Sequence, residues 1–252
     1  IEHLQQRVQD DTGRAQEIGR AGVAYAMSRL RADPLRPPWQ PDGRLYRWSF
    51  DGARVDIRVE DESGKININL ADLQLLQAFL QALDVPAEQA AHLAGAIVDW
   101  RDADDLSQPV GGAEDGDYAA AGRPYGAKDA PFETIAELEQ VLGMTPDLYA
   151  RLEPFLTLYS GRGQPDATYA QGPVLVAMGM DATAWLAQRE AAGAAGALQL
   201  VGTGSGTYSI ESRARLADGR ETSLRTVVRA GASPVPGSAY TLLRWEEGAS
   251  PQ

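Results

Sequence analysis

Two hairpin signals, one near each end of the chain, constrain the fold of this 252-residue sequence more than any other feature. Residues 44–60 hold two segments of alternating character that are joined by Asp-Gly at 51–52. Residues 207–230 repeat this arrangement around Ala-Asp-Gly at 217–219, and residues 240–245 alternate once more. Because Asp-Gly between alternating segments is typical of a tight β-hairpin, the sequence predicts strands at both ends of the chain.

Residues 1–31 are predicted to form one long helix, because apolar residues recur there in steps of three and four. The apolar stripe consists of Leu4, Val8, Ala15, Ile18, Gly22 and Tyr25. The helix is expected to end before Pro34, since proline removes a backbone donor and clashes with the preceding turn. We expect this helix to pack on one antiparallel sheet built from the strands of both chain ends.

The region between the two hairpins has mostly helical periodicity. Helical patterns cover residues 72–83 and 87–100, and a capping box begins a short helix at 134–142. A proline begins another helix at 146–153, and residues 165–194 repeat the order of helix, turn and helix faintly. The middle of the chain is therefore predicted to be a separate helical domain.

The predicted fold class is α+β, with a large and mostly α-helical domain inserted into a core of helix and antiparallel sheet. The core is assigned to residues 1–65 and 205–252, and the inserted domain to residues 66–204. Such an insertion requires only that its two ends lie close together. Residues 155–205 are the part that the sequence assigns least clearly to either domain.

The segment 99–117 is the strongest candidate for a functional site, because it holds seven carboxylates and a single basic residue, Arg101. The acidic residues are Asp99, Asp102, Asp104, Asp105, Glu114, Asp115 and Asp117. Carboxylates at this density repel one another unless water or a cation neutralises them. Glycines and a proline separate two acidic clusters, and aromatic residues flank them, which favours a cage of oxygen ligands for calcium over a solvated acidic loop.

Composition excludes several other kinds of site. The sequence contains no cysteine and only two histidines, His3 and His92, so a zinc site or a histidine-based triad has almost no ligands to draw on. The net charge of −12 disfavours binding to phosphate backbones. Paired carboxylates such as Asp99 and Asp102, or Asp115 and Asp117, can serve acid–base hydrolysis, but nothing else in the sequence indicates a substrate cleft.

Residues 64–76 (GKININLADLQLL) and 130–144 (APFETIAELEQVLGM) together resemble a helix-hairpin-helix module. In DNA-binding modules of this kind, a Gly-rich hairpin holds phosphate through backbone N–H groups. Here the hairpin at 83–88 lacks Gly-x-Gly and carries two acidic residues and a proline. We interpret the module as a structural scaffold and keep DNA binding as the alternative function.

Four segments taken together are similar to the K-type minor pseudopilins of bacterial type II secretion systems (general secretion pathway protein K). They are DESGKININ at 61–69, DWRDADD at 99–105, GGAEDGDY at 111–118 and the segment 123–144. The resemblance is strongest from Asp61 to Gly161 and covers most of the chain.

The resemblance implies a non-catalytic protein with a pilin-like α/β core and an inserted helical domain that binds calcium through an acidic loop, at about 99–129. It implies a periplasmic location, with an inner-membrane anchor in an N-terminal segment absent from this chain. The implied partners are the I- and J-type minor pseudopilins, and beyond them the H-type minor pseudopilin and the secretin. The N-terminal helix would pack its apolar stripe on partner helices at the tip of the pseudopilus.

The resemblance also ranks the acidic residues as calcium ligands. Its primary ligands are Asp102, Asp104, Glu114 and Asp117. Its secondary candidates are Asp99, Asp105 and Asp115, since Asp99 has the alternative role of ending or capping the preceding helix. Asp129 stands where the family commonly has asparagine, and it adds a further acid near the loop.

Overall fold

The computed structural model describes residues 2–31, 35–194, 204–231 and 240–248, and the side chains of residues 2–12, 193 and 194 lie outside this description. The chain divides into two compact units. The sheet unit comprises Ile1–Glu62 and Gly196–Gln252, and the helical unit comprises Ser63–Ala195. The sequence placed the boundaries of the helical domain at residues 66 and 204, and the helical unit of the structure begins at residue 63 and ends at residue 195. Residues 195–203 lie outside the described residues.

The described elements follow the predicted order of a helix, a hairpin, a mostly helical middle, a second hairpin and a last strand, and they include a short helix at Asp115–Ala120 and a short strand at Leu156–Thr157 that were not predicted. They are α1 (Glu2–Arg29), β1 (Asp42–Phe50), β2 (Ala53–Asp61), β3 (Ile66–Asn67), α2 (Leu73–Ala82), α3 (Ala87–Arg101), α4 (Asp115–Ala120), α5 (Pro146–Leu152), β4 (Leu156–Thr157), α6 (Gly172–Ala177), α7 (Ala182–Ala194), β5 (Thr207–Arg215), β6 (Glu221–Ala230) and β7 (Tyr240–Gly248). Among the described helices, none is both long and apolar enough to cross a membrane.

The sheet unit contains one five-stranded antiparallel sheet in the order β1-β2-β5-β6-β7. The prediction that strands from both ends of the chain share a sheet is therefore confirmed. Asp51 and Gly52 join β1 to β2 with positive φ angles of 50° and 75°, as a type I′ turn requires. The short turn fixes the register, in which Phe50 pairs with Ala53.

Helix α1 packs on this sheet because β2 alternates buried and exposed residues. Val55, Ile57 and Val59 are all 0% exposed and meet apolar residues of α1 such as Ile18. Gly22 allows the helix to approach closely, since a Cβ there would collide with the Ser212 hydroxyl of β5. The strands thus supply one face of the core and α1 covers it.

This packing corrects one expectation about α1. Ala15, Ile18 and Gly22 of the predicted stripe are buried against the chain's own sheet, so they are not available to a partner helix. The sequence pattern predicts this packing on the sheet, and the expectation that is corrected is the one implied by the resemblance, in which the stripe packs on partner helices. The side chains of Leu4 and Val8, the N-terminal part of the stripe, lie outside the described residues.

The helical unit is built around the pair α2 and α3, whose apolar faces share one core that includes Phe79, Leu80 and Leu93. Asp72 caps α2 by accepting a hydrogen bond from the Leu75 backbone N at 2.7 Å. A short parallel pairing of β3 with β4 places the start of the unit beside residue 156. The segment 134–142, predicted as a short helix, forms a 3₁₀ helix at Ile135–Gln140.

Candidate metal centre

The last turn of α3 brings two carboxylates to one face, because Asp99 and Asp102 are three residues apart. The helix continues to Arg101, so the alternative that Asp99 ends or caps it is wrong. Asp102 instead forms the C-cap, and its backbone N donates to the Val98 carbonyl at 3.0 Å. Asp99 is 0% exposed, which is rare for a carboxylate without an ionic partner.

The chain then folds back onto α3 and delivers a third carboxylate. Oδ2 of Asp99 accepts hydrogen bonds from the backbone N of Ala113 at 2.8 Å and of Gln108 at 3.4 Å. Glu114 follows Ala113 directly, so these bonds place its side chain beside the end of α3. One oxygen of Asp99 therefore organises the loop, and the other, Oδ1, has no hydrogen-bond partner among the described residues.

Asp99, Asp102 and Glu114 form a three-carboxylate cluster whose ligand oxygens all lie within 4.8 Å of one another. Each residue contributes a buried oxygen (Asp99 Oδ1, Asp102 Oδ1 and Glu114 Oε1) that has no hydrogen-bond partner among the described residues. Three buried carboxylate oxygens without hydrogen-bond partners are costly unless a cation compensates them.

Arg101 is the nearest base in the sequence, yet its guanidinium is used elsewhere. It donates to the backbone carbonyl of Ile68 and, at 2.5 Å, to that of Ala71. Within the described part of the chain, none of the three cluster carboxylates forms an ion pair with a lysine or arginine. Among the described residues, the cluster therefore has no basic side chain to neutralise it.

Burial and mutual repulsion raise the pKa of all three carboxyls. The pKa of Glu114 rises to about 7, first through burial and then through the charges of Asp99 and Asp102. Burial also raises the pKa of Asp99, although the hydrogen bond from Ala113 offsets part of the effect. For Asp102 burial is again the largest cause, followed by the charge of Asp104. A bound cation would reverse these shifts, because it favours the ionised form of each carboxyl.

The other predicted ligands lie on the exposed part of the loop, and three of them accept backbone hydrogen bonds. Asp104 Oδ1 accepts from Leu106 N at 3.0 Å, and Asp115 Oδ1 accepts from Ala127 N at 3.1 Å. Asp117 Oδ2 accepts from Glu114 N at 3.0 Å. These carboxylates order the loop backbone around the cluster.

Asp105 and Asp129 are exposed as well, and their charges contribute to the raised pKa of Glu114. Neither belongs to the three-carboxylate cluster. The structure thus brings together two primary candidates, Asp102 and Glu114, with one secondary candidate, Asp99.

The loop predicted at about 99–129 contains a short helix, α4, which the sequence analysis missed. Asp117 at its third position bonds back to Glu114 at its N-cap, and Tyr118 is fully buried. The Tyr118 hydroxyl accepts from Leu142 N at 3.1 Å, and the Trp100 and Tyr118 ring centroids lie 5.9 Å apart. The aromatic residues that flank the acidic segment therefore anchor the carboxylate cluster to the hydrophobic core of the helical unit.

Within the residues that it describes, the structure adds no support for a histidine-based site or for DNA binding. His92 is exposed on α3 and is not part of the carboxylate cluster. The turn at 83–86 between α2 and α3 contains Asp84, whose φ is positive, and it retains the acidic character that disfavours DNA.

Comparisons with known proteins agree with the class that the sequence motifs indicate. Residues 56–161 match a family model described as type II secretion system (T2SS), protein K. A type II secretion system protein K from Pseudomonas aeruginosa is 30% identical over 137 residues, which cover 51% of this chain and 41% of that protein. The corresponding protein from Aeromonas hydrophila is 34% identical over 124 residues, which cover 42% of this chain and 38% of that protein.

A solved structure matches over nearly the whole chain. It is a chain from the crystal structure of the GspK-GspI-GspJ complex of the enterotoxigenic Escherichia coli type 2 secretion system, with a TM-score of 0.66 and 22% identity. The match covers 98% of this chain and 100% of that chain, and at this identity it shows the fold alone.

The chain thus resembles a class of protein, the components of type II secretion systems. Within that class it is similar to protein K, by the family model over residues 56–161 and by the curated relatives. The matched part of the chain spans about two fifths of the length of the curated relatives, 41% of the Pseudomonas protein and 38% of the Aeromonas protein.

Proposed function

We propose that this chain is a non-catalytic minor pseudopilin that assembles with I- and J-type minor pseudopilins and caps the tip of the type II secretion pseudopilus. The observation that carries the proposal is the likeness in fold, over 98% of the chain, to a chain of the GspK-GspI-GspJ complex. In this proposal the helical unit supplies bulk at the tip, and the sheet unit, with its pilin-like order of helix and sheet, supplies the contacts to the partners.

The assembly is tested with purified periplasmic parts of the I- and J-type pseudopilins from the same organism. Size-exclusion chromatography with light scattering should detect one complex that contains all three chains in equal amounts. Omitting either partner serves as the control. A chain that elutes at its own mass in the presence of both partners would contradict the proposal.

Tip capping needs a separate measurement, because assembly alone does not locate the complex. Pseudopili carrying a gold-labelled copy of this chain should show label at one end only under electron microscopy. Label spread along the filament would instead indicate a subunit of the shaft. The proposed location is the periplasm, with an N-terminal membrane anchor preceding this chain and with the H-type pseudopilin and the secretin as further contacts.

We further propose that the three-carboxylate cluster holds a structural calcium ion. Calcium takes six to eight oxygen ligands at 2.3–2.6 Å, so two oxygens on one ion can lie up to about 5 Å apart. The cluster fits, because its three carboxylates each offer an oxygen within 4.8 Å of the others, and each also has a buried oxygen without a hydrogen-bond partner among the described residues. Asp104, Asp105, Asp115 and Asp117 stay as predicted candidates for completing the shell.

When bound, calcium would neutralise the cluster and stabilise the folded state by mass action. The ion would then link the end of α3 to the start of α4. Asp99 and Asp102 lie at the C-terminal end of α3, and Glu114 is the N-cap of α4. Isothermal titration of the chelator-treated chain should show calcium binding that Asp102→Asn weakens strongly. Equal binding by the wild type and this variant would contradict the ligand assignment.

A further inference from the structure

We propose that Gly95, in the middle of α3, is a positioning residue for the calcium site, because it lets the loop that carries Glu114 rest directly on the helix. The inference rests on the proposed calcium binding and adds residues that touch no ion. Glycine in a helix interior costs about 1 kcal/mol relative to alanine, so its presence in a well-packed helix calls for a packing reason.

The packing reason is a contact between two stretches of backbone. A Cβ on Gly95 would lie 2.6 Å from the backbone N of Gly112 and 2.9 Å from the carbonyl carbon of Gly111. Non-bonded heavy atoms settle about 3.5–4.0 Å apart. A methyl group at position 95 therefore requires the loop to move outward by about 1 Å, since backbone atoms cannot rotate away as a flexible side chain can.

The loop side of the contact also requires glycine, because it too leaves no room for a Cβ. Gly111 has a φ of +80°, and a Cβ on it would collide with the Cα of His92 and lie 2.9 Å from the carbonyl oxygen of Ala91. Gly112 has a φ of +113° and faces the carboxylate of Asp99. Glycines on both sides thus meet along one edge of α3, one turn before the cluster.

The contact fixes the carboxylate cluster because the next residues of the loop lead directly into it. Ala113 is 1% exposed and donates to Asp99, and Glu114 comes immediately after. Independently of the glycines, Asp99 is fully buried and its Oδ1 has no partner among the described residues. An outward shift of the loop would separate Glu114 from Asp99 and Asp102 while all three carboxylates remain in the chain.

The test compares Gly95→Ala with Gly116→Ala. Both replace a helical glycine by alanine, but a Cβ on Gly116 of α4 meets nothing within 4 Å. We expect Gly95→Ala to raise the calcium Kd by about 10–100-fold, the range typical for residues that hold metal ligands in place. Gly116→Ala should leave the Kd within about twofold of wild type, since it adds no contact.

A second readout separates positioning from general destabilisation. Thermal melting in excess chelator reports folding without the site, and there Gly95→Ala should melt close to the wild type, because the gain in helix propensity offsets the displaced loop. Terbium bound in place of calcium, excited through nearby Trp100, should show weaker affinity in the same variant. Gly111→Ala tests the contact from the loop side and should weaken binding in the same way.

The outcomes distinguish the two proposals. Wild-type protein that binds no calcium overturns the calcium site and this inference together. Wild-type binding with an unchanged Kd in folded Gly95→Ala or folded Gly111→Ala overturns the positioning role alone. A loss of affinity in both, with Gly116→Ala unaffected, supports it.

Discussion

The two units of the chain divide its charge very unequally. The sheet unit holds 16 basic and 16 acidic residues, whereas the helical unit holds 7 basic and 19 acidic ones, so the whole net charge of −12 belongs to the helical unit. In the sheet unit, arginines meet acids across neighbouring strands, as in Arg215 with Glu221 and Arg225 with Glu211. The helical unit leaves buried carboxylates without such partners. One unit thus balances its charge internally, whereas the other carries an excess of acid, and the proposed calcium ion would offset part of that excess.

We expect calcium to increase the difference between the melting temperatures of the two units more than any substitution does. In millimolar calcium, at about 100 times the Kd, the helical unit should gain about 2.7 kcal/mol of unfolding free energy, which corresponds to a rise in Tm of about 10 °C. The sheet unit should be unaffected. Differential scanning calorimetry with calcium, magnesium and chelator measures this, and a calcium shift of both transitions, or of neither, would break the comparison.

Two glutamates of the helical unit give the next largest contrast. Glu114 has an unpartnered oxygen, whereas Glu137 accepts from Lys128 Nζ at 2.7 Å and from Thr134 N at 2.8 Å. Glu114→Gln should abolish the calcium-induced rise in Tm and leave the Tm in chelator unchanged or slightly higher, because it removes repulsion. The control, Glu137→Gln, should cost about 1.5–3 kcal/mol in both conditions, the range for a hydrogen bond to a charged group. A loss in chelator for Glu114→Gln equal to that in calcium would exclude a ligand role.

The pH dependence of the chelator-treated protein follows from Glu114. Its pKa in the folded chain, about 7, lies above the ordinary 4.5, so folding favours the protonated carboxyl. This contribution to stability is complete below pH 4.5 and is lost as the pH rises through about 7. Urea melts should therefore show the helical unit becoming less stable over this interval in chelator. With calcium present the trend should reverse, because only ionised carboxylates bind the ion; the same slope in both conditions would count against the site.

The smallest effect is expected at the exposed ion pairs of the sheet unit. Arg215 and Glu221 have side-chain exposures of 65% and 35%. Arg215→Gln should change the free energy of unfolding by less than about 1 kcal/mol, because solvent screens such pairs. Chemical denaturation with and without calcium measures this. If the effect of this variant on the free energy of unfolding depended on calcium, the charges of the two units would not be independent.

Much of the fold could be predicted from local signals. Asp51-Gly52 fixes a hairpin by backbone geometry, and Asp72 marks the start of α2 by its capping bond, so neither needs knowledge of the rest of the chain. The packing of Ile18 on the chain's own sheet could also be predicted, from the apolar stripe and the two hairpins, whereas the partner helices that the resemblance implied for the same stripe conflict with its burial. Helix α4 was missed because its start depends on Asp117 and its position on the burial of Tyr118.

The sequence located the candidate site but did not identify which residues form it. The density of acids identified the segment, and Asp102 and Glu114 were among the residues predicted as primary ligands. Asp99 was ranked lower because it had the alternative role of ending or capping α3. Its bonds from Gln108 and Ala113, which organise the loop, come from residues that the sequence alone does not place nearby. Gly95 was passed over, although a glycine inside a helical pattern was a signal that a second backbone approaches there.

The pairing of β2 with β5 has a consequence for how the chain folds. Glu62 and Ser209 share a hydrogen bond although they are 147 residues apart, and the entire helical unit lies between them in sequence. The central strands of the sheet can therefore meet only after a very long loop has closed, whereas helices such as α2 and α3 form from contacts between near neighbours. We expect the helical unit to fold first during synthesis. The sheet unit would then wait for its C-terminal strands to leave the ribosome, with the hairpin β1–β2 exposed until they arrive.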